Sequence, residues 1–430
     1  MGNIQDAMMV FADKDGQIYD HPALRMVCRK GREWSLPHPS ELMPLPEESE
    51  LFFLPGRKAV GLNPETGEIE CDDNFAVAAF IAPAHTISAH PAYSTQKDAP
   101  ILPLFAYCAV GFADGRFVVS AHRVDPDKRQ EFAQIKRSAI ERGARNLLRS
   151  YPKNRLVRHI LNNCVARYDC PAARNFALGR YEAPLPTSRT CNARCLGCIS
   201  EQEENAAIHN TPQCRLTFTP TPAEIAQVMT IHAQRERSTP IFSFGQGCEG
   251  DPLQNAELLR ESIALYRKDG HGTINCNTNG SRPEVISDLA CAGLTSIRVS
   301  INSAREKLYQ RYYRPHGYDF SAIEETVSTA RSLGLFVSLN LLFFPGITDT
   351  EEEIEALTNL IAKGVSMIQL RNLNIDPEWY IQSMADETPK DTFGMGLSTF
   401  MKRLKANSPW LRFGYFNPWL GDKAVTEWNH

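Results

Sequence analysis

The spacing of apolar and polar positions changes twice along the chain. Up to about residue 125, apolar residues come in short β-type runs separated by turn formers: "ELFFLPGRKAVGLNPETGEIE", "NFAVAAFIAP" and "LFAYCAVGFADGRFVVSAHRV". Runs of this kind, bounded by Gly, Pro, Asn and Asp, predict strands. The Ala-Asp-Gly-Arg stretch at 113–116, between two apolar runs, predicts a hairpin turn. A mostly antiparallel β-rich domain over 1–125 follows, with no catalytic signature in it. From 126 to 180 the period lengthens. Phe132, Ile135, Ile140, Ala144, Leu147 and Leu148 recur at helical spacing, and the pattern breaks near Pro152. This helical linker is basic, with ten Lys or Arg between Lys128 and Arg158 against Glu131 and Glu141. A solvated helix face accounts for that bias; the sharper reading is a dock for an anionic partner such as RNA or an acidic protein.

After residue 180 short apolar strands alternate with amphipathic helices. Strands are predicted at 182–185, 240–244, 272–276, 296–301, 336–343 and 366–370, and helices at 222–236, 254–268, 282–292, 320–333, 350–363 and 392–406. Asp349 with Glu352 reads as a capping pair, and Gly334 closes the preceding helix. Six strand–helix units over 181–375 predict an α/β fold whose parallel strands curl into a partial (β/α)6 barrel rather than a closed eight-fold one. The remainder, 376–430, holds one more helix and an aromatic tail, "SPWLRFGYFNPWLGD", suited to cap the open barrel or hold substrate.

Composition narrows the classes. The 430 residues are 43% hydrophobic and 22% charged with a net charge of −4, an ordinary globular balance with no global pull towards polyanions or membrane surfaces. No apolar run reaches the ~18 residues of a spanning helix. The amino terminus, "MGNIQDAMMVFADKDG", lacks the basic and apolar regions of a signal peptide, so a cytoplasmic protein is expected. Twelve cysteines in such a chain point to metal ligands or catalytic thiols rather than disulfides.

Three of them are clustered: Cys191, Cys195 and Cys198, spaced C-x3-C-x2-C within "TSRTCNARCLGCIS". The loop follows the first strand of the series and so falls at the carboxyl ends of the strands, where β/α barrels place their chemistry. Structural zinc uses four ligands and an iron–sulfur cubane normally four cysteines. Three thiolates leave one position open for an exogenous ligand. The alternative is a non-catalytic zinc or iron–sulfur metalloprotein, in which Cys214 or another distant Cys supplies the fourth ligand.

The motif and its place resemble the radical S-adenosylmethionine (radical SAM) superfamily over roughly residues 180–375. That resemblance implies one 4Fe-4S cluster on Cys191, Cys195 and Cys198, with S-adenosylmethionine on the open iron. It implies an oxygen-sensitive enzyme that reductively cleaves S-adenosylmethionine to a 5′-deoxyadenosyl radical, which abstracts hydrogen from an unidentified substrate. A flavodoxin- or ferredoxin-type reductant is implied as partner. The second strand ends in "FSFGQGCEGDPLQN", where the family's Gly-rich turn and acidic residue hold the methionine amino group. Gly247 and either Glu249 or Asp251 match it, Glu249 being preferred, and Cys248 is read as packing. Thr278, Asn279 and Gly280 resemble the family's turn near bound ligand. Ser300 and Asn302 share one face of the fourth strand, where the family binds ribose and carboxylate, with Arg305 or Arg314 assisting. Gly346 and Ile347 resemble the segment on which adenine rests; Asn340, Gln369 and Arg371 add polar lining. Cys164 and Cys170 are read first as buried and second as ligands of an auxiliary cluster. No cysteine follows Cys291, which argues against the cysteine-rich extension common in peptide-modifying members. Whether the substrate is a small molecule, a peptide or RNA stays open.

Overall fold

Alternate residues of the strands after residue 180 divide into two chemical sets, and that division shapes the sheet. The computed structural model describes residues 6–128, 131–202, 213–389 and 393–421. Seven parallel strands pair in sequence order: β1 Glu182–Leu185, β2 Ile241–Phe244, β3 Thr273–Thr278, β4 Ser296–Ile301, β5 Phe336–Phe343, β6 Met367–Asn372 and β7 Arg412–Gly414. One face carries Ala183, Phe242, Ile274, Ile297, Val299, Leu339 and Ile368, all inaccessible and in one core with helix residues such as Ile225 and Leu259. The other carries Glu182, Ser243, Asn275, Arg298, Ser300, Asn340, Gln369 and Arg371. A period of two keeps the sets apart, so the sheet has an oily back and a polar front.

Eight helices connect or follow these strands: α1 Pro222–Arg235, α2 Ala256–Arg267, α3 Ile286–Ala292, α4 Glu306–Tyr313, α5 Phe320–Ser332, α6 Glu351–Ala362, α7 Pro377–Ser383 and α8 Leu397–Asn407. Helix α1 starts in a full capping box between Thr221 and Glu224. The start of α6 corrects the sequence reading. Thr350 is its N-cap, accepting from the Glu353 N–H at 3.3 Å. Asp349 instead accepts from Gly346 and Gly396, at 2.6 and 2.8 Å, and so pins two loops. The strand β7 is a further departure, a seventh strand beyond the six units.

Residues 6–125 form an antiparallel nine-stranded sheet and a small three-stranded one. The hairpin of Cys108–Ala113 and Arg116–Arg123 turns on Asp114 and Gly115, both at positive φ (51° and 73°), the geometry of a two-residue turn between twisted strands. Between this region and β1 lie the helices Arg137–Ser150, Arg155–His159 and Pro171–Leu178. Ile140, Ala144 and Leu147 face inward; Arg137 and Arg145 flank Glu141 in exposed i,i+4 pairs, a solvated charged face. No helix among the described residues is long and apolar enough to cross a membrane.

Two contacts position the site. The antiparallel region docks on the loops after β5 and β6. Arg57 pairs with Asp376 at 2.9 Å with both side chains buried, and Leu102 N–H also donates to Asp376. The Thr86 hydroxyl donates to Leu370 O, Ile87 N–H to Asn372 Oδ1, and Gly31 N–H to Pro345 O. At the opposite, amino-terminal end of the strands, the tail after β7 crosses the polar front. Asn417 donates to Glu182 and Ser243 (2.8 and 3.0 Å) and accepts from Gln369 at 3.0 Å, while Leu420 packs on Phe336 and Met367.

Candidate functional site

Cys191, Cys195 and Cys198 open on one cavity of about 320 Å³ at the carboxyl ends of the strands. Their loop is held from several sides. The Glu249 carboxylate accepts from the backbone N–H groups of Thr187, Ser188, Gly245 and Gln246, stitching the start of the loop to the turn after β2. Gly250 and Asp251 donate to Ser188 O and Thr190 O, both at 2.9 Å. A Cβ on Gly250 would lie 2.0 Å from Thr190 O, so only glycine permits this approach; Gly245 stands the same way against Asn277 O, at φ 75°. Farther along, Arg194 and Leu196 N–H donate to Tyr313 O and Tyr312 O at the end of α4. Asn192 accepts from Asn279 and Ser281 at 2.9 and 3.2 Å.

The thiols feel one another. Burial and then Asp251 push Cys191 up to about 11. Burial, followed by Cys198 and Cys191, pushes Cys195 well above the ordinary thiol range. The Asn279 amide and the Arg215 guanidinium stand 4.0 Å from the sulfurs of Cys191 and Cys198, N–H donors placed to stabilise thiolates. Among the described residues no set of three His, Cys, Asp or Glu side chains is drawn to metal-binding spacing. The donor chemistry nevertheless fits a cluster: three thiols line the cavity, and its two carboxylates among the described residues, Glu249 and Asp251, are taken by other donors.

Both acidic residues of the turn line the cavity yet are occupied. Burial raises Glu249 to about 8 against the pull of its four N–H donors. Asp251 caps Leu253 N–H and takes Thr278 Oγ1 and Asn279 N–H, with burial raising it to about 6. Each acts as a clamp between strand ends.

Of the other residues singled out in the sequence, Gly247, Asn279, Ser300, Asn340 and Arg371 line this cavity and Thr278 does too. Asn302, Arg314 and Ile347 do not. Asn302 turns to Leu308 O and the Tyr380 hydroxyl, both at 3.2 Å. Arg314, at φ 46°, ends α4 and lines a separate depression with Lys307 and Gln310. Ile347 is buried, its carbonyl accepting from Arg305, and Gly346 lies against Gly31 of the antiparallel region. Gln369 is buried beneath the cavity and accepts from Arg298 at 2.7 Å. Cys164 and Cys170 are joined by a 2.8 Å backbone bond, and both raise Cys248 after burial does. Cys214 is exposed, its N–H bonded to Tyr168.

Sequence reasoning missed Arg298, Asn277, Arg215, Tyr312 and Asn374, all of which line the cavity. Arg298 had a readable signal: it precedes Ser300 by two on β4 and so shares its face. Tyr312 and Asn374 had none, because α4 and the loop after β6 reach the site only through the fold.

Residues 185–361 match the model of the radical SAM superfamily, from the last residue of β1 through most of α6. Among curated proteins, a probable GTP 3',8-cyclase of Thermococcus kodakarensis is 27% identical over 197 residues, 45% of this chain. The chain spans 57% of that relative's length. Among solved structures, a radical SAM methyltransferase from Sphaerobacter thermophilus aligns with a TM-score of 0.37 and 18% identity, over 55% of this chain and 67% of that one. SuiB of Streptococcus suis bound to S-adenosylmethionine aligns with a TM-score of 0.36 and 12% identity, over 55% and 50%.

Proposed function

Starting from a chain that carries the radical SAM domain of an enzyme superfamily over 185–361, we propose that it is a radical SAM enzyme acting on a substrate held in the polar front of the sheet. The observation that carries this reading is the opening of all three loop thiols on one cavity at the strands' carboxyl ends. Cys191, Cys195 and Cys198 would hold a single 4Fe-4S cluster. Bound there, the cluster supplies one-electron reductive cleavage of S-adenosylmethionine to a 5′-deoxyadenosyl radical for hydrogen abstraction, with a flavodoxin or ferredoxin as electron source.

The chain's own residues bind and orient. Glu249 and Asp251 fix the turn after β2 against the cysteine loop, so that Gly247 presents backbone rather than side chain to the cosubstrate. Asn279 and Arg215 donate towards the sulfurs. Ser300 and Asn340 are bonded to each other at 3.0 Å, and the buried Asn340 Oδ1 has no partner, leaving an acceptor for a hydroxyl or ammonium of the cosubstrate. Strands β1 to β6 read as a partial barrel of the radical SAM type over 181–375, with β7 added at the edge. The β-rich region 1–125 and the linker 126–180 precede it, and 376–430 caps it.

Anaerobic reconstitution followed by dithionite and S-adenosylmethionine tests this: 5′-deoxyadenosine forms in the wild type, and Cys195→Ala loses both iron and product. Iron and cleavage retained in Cys195→Ala would overturn it, as would a colourless protein that holds zinc. The same iron count assigns the second thiol group. About four irons per chain leave Cys164, Cys170 and Cys248 to packing, and about eight make them an auxiliary cluster.

A further inference from the structure

The radical reading says what opens the cavity but not what enters it. Resting on that reading for the cavity's role, we propose that Arg298 and Arg371 form a seat for an oxyanion, a carboxylate or phosphate group, carried by the substrate. Strand register places Ser300, Asn340 and Gln369 in one layer across β4, β5 and β6. Arg298 lies one pleat towards the amino end of that layer and Arg371 one pleat towards the carboxyl end. Arg298 reaches up to Gln369 on β6, two residues before Arg371, and both side chains line the same cavity.

Neither has a counter-ion among the described residues. Arg298 gives one bond to Gln369 Oε1, and its buried Nε has no partner. Arg371 gives one bond to Tyr415 O at 3.1 Å and lies over the Tyr415 ring at 4.0 Å. Among the described residues no carboxylate stands within ion-pair distance of either. Glu182, the acid that Arg298 feels, is taken by Ser243 and Asn417. Glu249 and Asp251 are turned to backbone and hydroxyl donors, and Arg215 is already paired with Glu201 at 2.5 Å. Burial and the neighbouring Arg371 accordingly lower Arg298 to about 9.

Two like charges facing a cavity without a counter-ion are costly, and a planar fork of donors matches carboxylate or phosphate geometry. An oxyanion in the cavity offsets that cost. The substrate class is therefore an acid or a phosphoryl compound with the reacting carbon a short reach from the charged group.

The full chain, cluster-reconstituted and saturated with S-adenosylmethionine, is challenged with inorganic phosphate or malonate. The readouts are melting temperature and phenylglyoxal labelling mapped by mass spectrometry. Expected is a saturable rise in Tm and at least tenfold protection of both Arg298 and Arg371. The Arg298→Gln/Arg371→Gln variant should bind the anion at least tenfold more weakly. Stronger protection by phosphate names a phosphoryl substrate, and stronger protection by malonate names a carboxylic acid. If neither anion protects, the proposal is overturned. It is equally overturned if S-adenosylmethionine alone gives full protection, because the pair then holds the cosubstrate's own carboxylate. Labelling of the wild type stands even where the double variant fails to fold. No readout requires bond cleavage, so a missing seat and a missing radical reaction give different results.

Discussion

The two ends of the polar front are built from the same residue types and finish in opposite states. At the amino end, Glu182, Ser243, Gln369 and Asn417 satisfy one another, and Leu420 seals the floor with Phe336 and Met367. Around the cavity Arg298 Nε and Asn340 Oδ1 lack partners and buried thiols crowd one another upward, although Arg298 starts below the Gln369 layer. A closed polar network specifies the fold; an open one of equal polarity is tolerated where a ligand completes it. The lesson is local, since only two or three residues of strand separate the two conditions.

The comparison can be broken at the open end first. Gly250→Ala pushes a Cβ to 2.0 Å from Thr190 O. It should destabilise by about 3 kcal/mol or more and detach the cysteine loop, read as lost iron on reconstitution. Normal iron loading in this variant would mean that the loop does not depend on that approach. Next comes the support behind the cavity. Arg57→Met leaves Asp376 buried without its ion pair and should cost about 3–5 kcal/mol in urea unfolding, loosening the segment after β6 that includes the cavity residue Asn374.

A pH test acts on the same contact. His90 is buried against Phe344, with ring centres 4.6 Å apart, and burial holds it down at about 4. A depressed histidine contributes stability that is complete above pH ~6.5 and is lost as pH falls through its folded value. Wild-type stability should therefore drop between pH ~6.5 and 4, and His90→Phe should remove roughly 2–3 kcal/mol of that drop. An unchanged slope would place the acid sensitivity elsewhere, with the buried His232 next, since burial holds it too at about 4. The smallest effect belongs to the closed end. Asn417→Ala unsatisfies Glu182 and Gln369 and should cost about 1–3 kcal/mol while iron loading is retained.

Legibility in the sequence followed the same division. Strands with an oily back were readable from alternation, and Glu182–Leu185, Ser296–Ile301 and Phe336–Phe343 fall where the pattern put them. Strand β7 escaped because three residues between Pro409 and Pro418 carry no periodic signal. Helix α4 escaped because its buried face is mostly aromatic, Tyr309, Tyr312 and Tyr313 with Leu308 as the one aliphatic. In the site, the cysteines and Ser300 were legible from local motif and strand parity. The clamping of Glu249 and Asp251 was not, because four of the donors that occupy them, in Thr187, Ser188, Thr278 and Asn279, lie on other strand ends. Arg314 and Ile347 rest on the family resemblance, Arg314 as an Arg downstream of β4 and Ile347 as the apolar residue after the Pro-Gly turn that follows β5. The turn at Arg314 and the docking of Gly31 on Gly346 lead that chain away from the cavity.

Three thiols, at Cys191, Cys195 and Cys198, would leave one metal position open for the cosubstrate. Electron paramagnetic resonance of the dithionite-reduced, reconstituted protein, recorded with and without S-adenosylmethionine, addresses it directly. Expected is a reduced-cluster signal whose g values shift when S-adenosylmethionine is added, because the ligand reaches the iron itself. A spectrum identical with and without it would show a cluster whose positions are all filled by protein, with none open to the cosubstrate.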